Sequence, residues 1–352
     1  MKSETEQFLQ QLLDATSPSG SEQPAACVFR ERVKDHCDEL IRDVHGNTMA
    51  VLNPGAPFKF MLAGHVDEIG LMVMHIDKEG FISVGQIGGW DVVHLVGQRV
   101  RILSDKGPVP GVIGREPIHT IKPKDREKGV ELEDIWIDIG AANKRDAEKA
   151  VRVGDPVIID VSYRRLRGDN VIARGCDDRV GAFVVAEVIR ELSKKRLDIS
   201  VYGVATVQEE VGLRGATTSA YTIHPHAGIA IDVGFATDHP KSAEKRMGEA
   251  KLGKGPMLHR GPNINPILEA DLEKTAKSAK IPFQLTGEPR ATGTDANAMQ
   301  LCRGGAATAL LSIPNRYMHS PVEMVSLKDL DNAVKLLATF LAKHPAERDY
   351  RP

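Results

Sequence analysis

The 352-residue chain predicts an α/β protein, a mainly parallel sheet flanked by helices and interrupted by a small β-barrel-like insert. Three observations lead there. β-branched apolar runs alternate with amphipathic stretches toward both ends of the chain, as strands feeding crossover helices do. Between residues 69 and 162 the alternation gives way to short β-branched runs cut by Gly, Pro and Asp-Lys turns. Several apolar runs also end in acidic residues or histidine, where open α/β sheets place their sites. Residues 1–68 and 163–352 therefore read as one discontinuous domain and 69–162 as an insertion.

The elements follow in order. Phe8, Leu9, Leu12 and Leu13 lie at helical spacing within Glu6–Ala15, which breaks at Ser17-Pro18-Ser19-Gly20. A second helix starts after Ser21 and runs through Val28, Phe29 and Val33. Strands are expected at Leu40–Asp43, Thr48–Leu52 and Lys59–Ala63. The insert supplies Leu71–His75, Phe81–Val84, Arg99–Leu103, Val109–Ile113, Ile135–Ile139 and Pro156–Val161, with a lysine-rich loop at Ile121–Lys128 and a helical patch at Lys144–Val151. A helix over Arg179–Ser193 then precedes a strand at Ile199–Gln208. Leu213–Tyr221 suits a helix, Ala227–Val233 a strand, Leu268–Ala276 and Ala296–Cys302 helices, and Ala306–Ile313 a strand. An amphipathic helix over Leu327–Ala342 closes the chain.

Composition narrows the partners. With 41% hydrophobic and 27% charged residues the chain has the makeup of a globular protein. A net charge of −2, with no basic stripe among aromatics, argues against nucleic acid and anionic membranes as partners. The charged start and the lack of a long apolar run point to a cytoplasmic protein. Cys27, Cys37, Cys176 and Cys302 are widely scattered and read as free thiols, most of them buried.

Five stretches carry chemistry. In Gly64-His65-Val66-Asp67 the two polar side chains face one side of an extended segment, although a His-x-Asp pair is commonly an ordinary hydrogen bond. Gly175-Cys176-Asp177-Asp178-Arg179 precedes an apolar helix, where an aspartate also serves as a cap. Glu209 and Glu210 end a buried strand. On an extended backbone they point opposite ways and take separate tasks, whereas two solvated loop glutamates are the plain alternative. Asp232 ends another buried run, and His319 sits in a loop between Pro314 and Pro321. Singly each reads as structural. Jointly, two imidazoles and several carboxylates at strand ends make a divalent-metal site.

Gly-Cys-Asp-Asp-Arg-Val-Gly, Gln-Glu-Glu-Val-Gly-Leu-Arg-Gly-Ala, Ala-Thr-Gly-Thr-Asp-Ala and Ile-Pro-Asn-Arg-Tyr-Met-His-Ser-Pro-Val-Glu, in this order after Gly-His-Val-Asp, resemble the glutamyl and deblocking aminopeptidases of peptidase family M42. The resemblance runs from Gly64 to Glu323. It implies a zinc-peptidase-like catalytic domain and two divalent ions per subunit, zinc or cobalt with manganese as a further candidate. His65 and Asp232 would bind one ion, Glu210 and His319 the other, and Asp177 would bridge them through a cis Asp177–Asp178 peptide. A metal-bridged hydroxide would attack the scissile carbonyl, with Glu209 as general base and Asp67 orienting His65. The resemblance also implies short peptides as substrates and assembly through the insert into a homo-oligomer, commonly a dodecamer.

Thr294 and Asp295 read as a helix N-cap, and the resemblance places them beside substrate. Arg316 is either structural or a substrate contact. Phe235–Pro240 is a candidate rim, in which His239 reads as a loop histidine. Hydrolysis of a non-peptide amide on the same site is the alternative function. Glycoside hydrolysis needs paired carboxylates and no metal, so the histidines weigh against it, and an intact ligand set weighs against a scaffold that has lost catalysis.

Overall fold

Phe8, Leu9, Leu12 and Leu13 form the buried stripe of Ser3–Asp14 (α1), and Ala25, Ala26, Phe29 and Val33 that of Gln23–Val33 (α2). The computed structural model describes residues 1–123, 128–242 and 244–352, so residues 124–127 of the expected lysine-rich loop Ile121–Lys128 lie outside the described residues. Glu39–Arg42 (β1), Thr48–Leu52 (β2) and Lys59–His65 (β3) come next, and every residue of β2 is buried. β3 runs two residues past the expected Ala63 and so carries His65 to its very end.

Beyond His65 the chain leaves the sheet. Gly70–Ile76 (β4), Ile82–Ile87 (β5), Arg99–Ser104 (β6), Gly107–Arg115 (β7), Ile135–Asp138 (β8) and, after the short helix Lys144–Ala147 (α3), Pro156–Ile159 (β9) close into a barrel in the order β4-β5-β8-β7-β6-β9. Closure removes the free sheet edges. The barrel has a core of its own around Val73, Ile82, Ile102 and Val157, separate from the main one.

The chain returns through Arg164–Arg165 (β10) and Asn170–Ala173 (β11) into Cys176–Leu192 (α4). α4 begins three residues before the expected helix. Its first turn is broken at Asp177 and Asp178, which are joined by a cis peptide. Ser200–Thr206 (β12), Arg214–Ile223 (α5), Ala227–Phe235 (β13), Glu244–Met247 (α6), Met257–Arg260 (β14), Pro266–Ser278 (α7), Gln284–Gly287 (β15), Asp295–Gln300 (α8), Ala307–Asn315 (β16), Glu323–Ser326 (β17) and Leu327–Leu341 (α9) complete the order. The main sheet runs β1-β2-β12-β3-β13-β16-β14-β15, and β10-β11-β17 form a second, three-stranded sheet.

The four central strands β12, β3, β13 and β16 are parallel, as are β14 and β15, whereas β1, β2 and the β14–β16 pair run antiparallel. β14 (Met-Leu-His-Arg) and β15 (Gln-Leu-Thr-Gly) escape sequence reading because neither is a β-branched apolar run. Two glycines set the key contact between layers. A Cβ on Gly64 would lie 2.5 Å from the Gly181 carbonyl carbon, so only hydrogen there lets α4 settle on β3 and brings Asp177 beside His65. All four cysteines are free, but only Cys176 and Cys302 are buried: Cys27 falls on the outer side of α2 and Cys37 lies just beyond it, so burial reaches half of them rather than most. Among the described residues no helix is long and apolar enough to cross a membrane.

Candidate metal centre

Parallel strands end on one edge of the sheet, and the candidate residues gather there. His65 closes β3, Asp232 lies in the second half of β13, Glu209 and Glu210 follow β12, His319 follows β16, and Asp177 opens α4. β12 stops at Thr206, and Gln208 turns the chain with a φ of 54°. The two glutamates therefore sit in a turn whose Glu209 carbonyl accepts from Gly212 and Leu213, not on the extended backbone expected.

Both imidazoles converge on one carboxylate. His65 Nε2 lies 3.2 Å from Asp177 Oδ1, and His319 Nε2 lies 3.3 Å from Asp177 Oδ2. Glu209 Oε2 flanks His65 Nε2 at 3.8 Å, and Glu210 Oε2 flanks His319 Nε2 at 3.6 Å. The opposite ring nitrogens meet backbone carbonyls, His65 Nδ1 at Asp67 O (3.1 Å) and His319 Nδ1 at Gly89 O (2.8 Å). A carbonyl only accepts, which assigns the proton to Nδ1 in each ring and leaves the Nε2 lone pairs facing carboxylate oxygens. Such facing pairs repel unless a proton or a metal ion lies between them.

Donor atoms of His65, Asp177 and Glu210 lie within 4.8 Å of one another, as do those of His65, Asp178 and Asp232. Asp178 is already engaged, accepting from the backbone N–H of His65 (3.2 Å) and of Gly181 (3.0 Å). That leaves Asp177 as the carboxylate with both oxygens turned to imidazoles. One oxygen each of Glu209 and Glu210 is buried without a hydrogen-bond partner. Burial pushes Glu209 up to about 10 and raises Glu210, Asp232 and Asp178 well above the usual carboxylate range. Burial acts on Asp177 in the same sense, but where a proton rather than a metal ion lies between the groups, His319 and His65 donate through Nε2–H, outweigh burial and hold this carboxyl low. Orphaned carboxylate oxygens, two Nε2 lone pairs and buried acids short of positive charge are what a divalent-cation site requires, so these residues fit one.

Three residues in the supporting shell were not singled out from sequence in those roles. Glu323 accepts from the backbone N–H of Asp177 (2.9 Å) and of His319 (3.0 Å), tying two candidate ligands together. Ser19 donates to Asp67 Oδ2 at 2.7 Å. Asp67, fully buried, also accepts from the N–H of Glu209 (3.0 Å) and of Glu210 (3.2 Å), so one carboxylate steadies the His65 strand end and the glutamate turn together. No local pattern marks Ser19 or Glu323, because their partners are distant in sequence.

A cleft of about 670 Å³ opens from this cluster, lined by Phe235, Met257, His259, Thr286, Thr294 and Ser312 among others. His259, passed over in the sequence, is neutral at its floor: burial pushes it down to about 4, and Ser312 Oγ lies 2.8 Å from its Nε2. Thr294 lines the cleft and makes no cap bond to α8. Asp295 is buried behind it, accepting from Thr206 Oγ1 at 2.5 Å. Arg316 forks onto Asp238 with two bonds of 2.7 Å and is not among the residues lining the cleft. His239 is half-buried in its loop and meets the Pro240 carbonyl.

The family model for M42 glutamyl aminopeptidases matches residues 46–336. A lysyl aminopeptidase of Pyrococcus furiosus is 42% identical over 311 residues, 88% of either chain. A TET aminopeptidase from a marine-sediment Thaumarchaeota archaeon superposes with a TM-score of 0.93 at 34% identity, covering 98% of both chains. The TET1 peptidase of Pyrococcus horikoshii, which can assemble into a tetrahedron or a large octahedral shell, gives a TM-score of 0.86 at 31% identity over 96% of this chain and 99% of its own.

Proposed function

Because the chain belongs to the M42 glutamyl aminopeptidase family, we propose that it is a metal-dependent aminopeptidase that removes N-terminal residues from short peptides at the His65–Asp177–His319 cluster. One observation carries this reading: two imidazoles present Nε2 to opposite oxygens of the same carboxylate, at 3.2 and 3.3 Å. His65 and Asp232 would hold one divalent ion, Glu210 and His319 the second, and Asp177 both. Zinc and cobalt suit this nitrogen and oxygen set best, with manganese next.

When bound, the ions would supply Lewis acidity, lowering the pKa of a water to about 7 and polarising the scissile carbonyl. The chain's own groups do the rest. Glu209, with an unpartnered oxygen at the cluster, takes the water's proton and returns it to the leaving amine. Asp67 keeps His65 turned toward Asp177. Thr294, which lines the cleft, and Asp295 buried behind it would receive the first residue of a peptide, and Arg316 would act on the rim through Asp238.

The solved neighbours support a homo-oligomer, and a dodecamer built through the barrel is part of the proposal. Unpaired cysteines agree with a reducing, cytoplasmic setting. Hydrolysis of non-peptide amides uses the same groups and is separated by substrate alone. The decisive experiment strips the protein with a chelator and assays aminoacyl chromogenic amides. Activity is expected to vanish and to recover in part with Zn²⁺, Co²⁺ or Mn²⁺, and full activity after exhaustive stripping rules the reading out.

A further inference from the structure

The barrel contributes to the candidate metal centre as well as standing beside it. After β5 the chain turns through Gly88 and Gly89 into Trp90, and this turn reaches the cluster. The Gly89 carbonyl accepts the His319 Nδ1–H at 2.8 Å, from a residue 230 positions away in sequence. Gly88 adopts a φ of +74°, and a Cβ built there would lie 2.5 Å from Ile69 Cγ2 and 3.4 Å from Glu210 Oε2. The turn thus holds His319 and borders the space of Glu210, two groups that belong to the same half of the cluster.

Among the described residues, no hydrogen bond links this turn to His65 or Asp232. The Trp90 indole anchors the turn. Its Nε1 donates to the Gly70 carbonyl at 3.0 Å at the start of β4, and its ring shares a small cavity wall with Asp177 and Glu323.

We propose that the Gly88–Gly89–Trp90 turn of the barrel is a positioning element for the second ion, holding His319 in the tautomer that offers Nε2 and leaving Glu210 the space to approach it. The physical reason is general: a ligating imidazole is aimed by whatever its other nitrogen donates to, and disturbing that partner weakens a metal site by about 10–100-fold. Glycine is required at position 88 on two counts, the positive φ and the absence of room for a Cβ. This inference rests on the metallo-aminopeptidase reading and adds that one of the two ions depends on the insert.

The test uses the full-length protein in its native assembly. Zn²⁺ affinity is measured for each bound ion by chelator competition, and the visible absorption of the Co²⁺-loaded protein reports ligand geometry. Trp90→Phe keeps an aromatic side chain and removes the anchoring N–H, and Gly88→Val displaces the turn outright. Val73→Ala, a cavity in the barrel core away from the turn, is the control for general destabilisation.

The expected result is one ion weakened at least about 10-fold in both turn variants, the other ion retained, an altered Co²⁺ spectrum, and neither change in Val73→Ala. Unchanged affinity and spectrum in the turn variants overturns the proposal. So does an equal loss in the barrel-core control, which would make the effect one of stability alone. A wild-type chain that binds no Zn²⁺ at all defeats the metal reading itself.

Discussion

At the scale of single residues, Asp177 would hold the ions and Glu209 would move the proton. Asp177 is held low where protons lie between it and the two imidazoles, in contrast to Glu210 and Asp232, which burial raises. Glu209 is pushed up by burial and has a free oxygen. The ligands Asp177, Glu210 and Asp232 would be kept ionised by the ions they hold, whereas Glu209, buried and with an unpartnered oxygen, is left to move the proton. Glu209→Gln is therefore expected to leave the metal content close to two ions while turnover falls by about 10²–10⁴-fold. Metal analysis beside a kcat measurement checks it, and equal loss of metal would mean that Glu209 and Glu210 have exchanged roles. His65, Asp67, Asp177, Glu209, Glu210, Asp232 and His319 could all be picked out from the sequence, since each lies beside an apolar run, Asp177 just before one and the others at or after its end. Glu323, Ser19 and Gly89 could not, because what marks them is a partner far away in the chain.

Helix α4 carries the cluster at the scale of elements. Its N-terminus delivers Asp177, and it packs on the sheet with Gly181 and Ala182 against Gly64 of β3 and with Val185 and Ile189 against Gly203 of β12. Phe183 is 1% exposed and stacks on Phe8 of α1, with ring centroids 5.5 Å apart. Phe183→Ala should cost about 3–5 kcal/mol in urea unfolding, from lost transfer free energy and the cavity left behind. Because α4 and β3 together aim Asp177 and His65, metal retention should fall with it. The helical period of this stretch was plain in sequence, whereas the break at Asp177–Asp178 was legible only through the resemblance, which implied the cis peptide found there, since period and composition do not report a backbone kink.

Long-range ties join the parts at the scale of the whole molecule. Glu6 on α1 holds Arg165 on β10 through a two-pronged ion pair and accepts from Tyr163 Oη at 2.7 Å, so the N-terminal helix is fastened where the chain returns from the barrel. Hydrogen bonding from Arg165 brings Glu6 from its ordinary 4.5 down to about 2. A carboxyl depressed in the folded state adds stability in full above its unfolded value, and that stability is lost as pH falls through the folded one. The urea midpoints of wild type and Glu6→Gln should therefore differ at pH 6 and draw together progressively below pH 4.5. A gap that stays constant down to pH 3 would contradict this. The pair is partly exposed, so the gap is expected to be small and to shrink in high salt.

What the sequence determined by itself was the class of fold, the β-rich interruption and the order of the chemical groups, because periodicity and strand-end residues are local properties that a single chain displays directly. The tertiary structure alone decided which of those groups meet. It bent the Glu209–Glu210 segment into a turn, put the short strands β14 and β15 under a cleft, sent Arg316 to Asp238, and brought a barrel carbonyl to His319. Contacts such as these depend on the path of the chain between distant residues, and that path is set by how both cores pack.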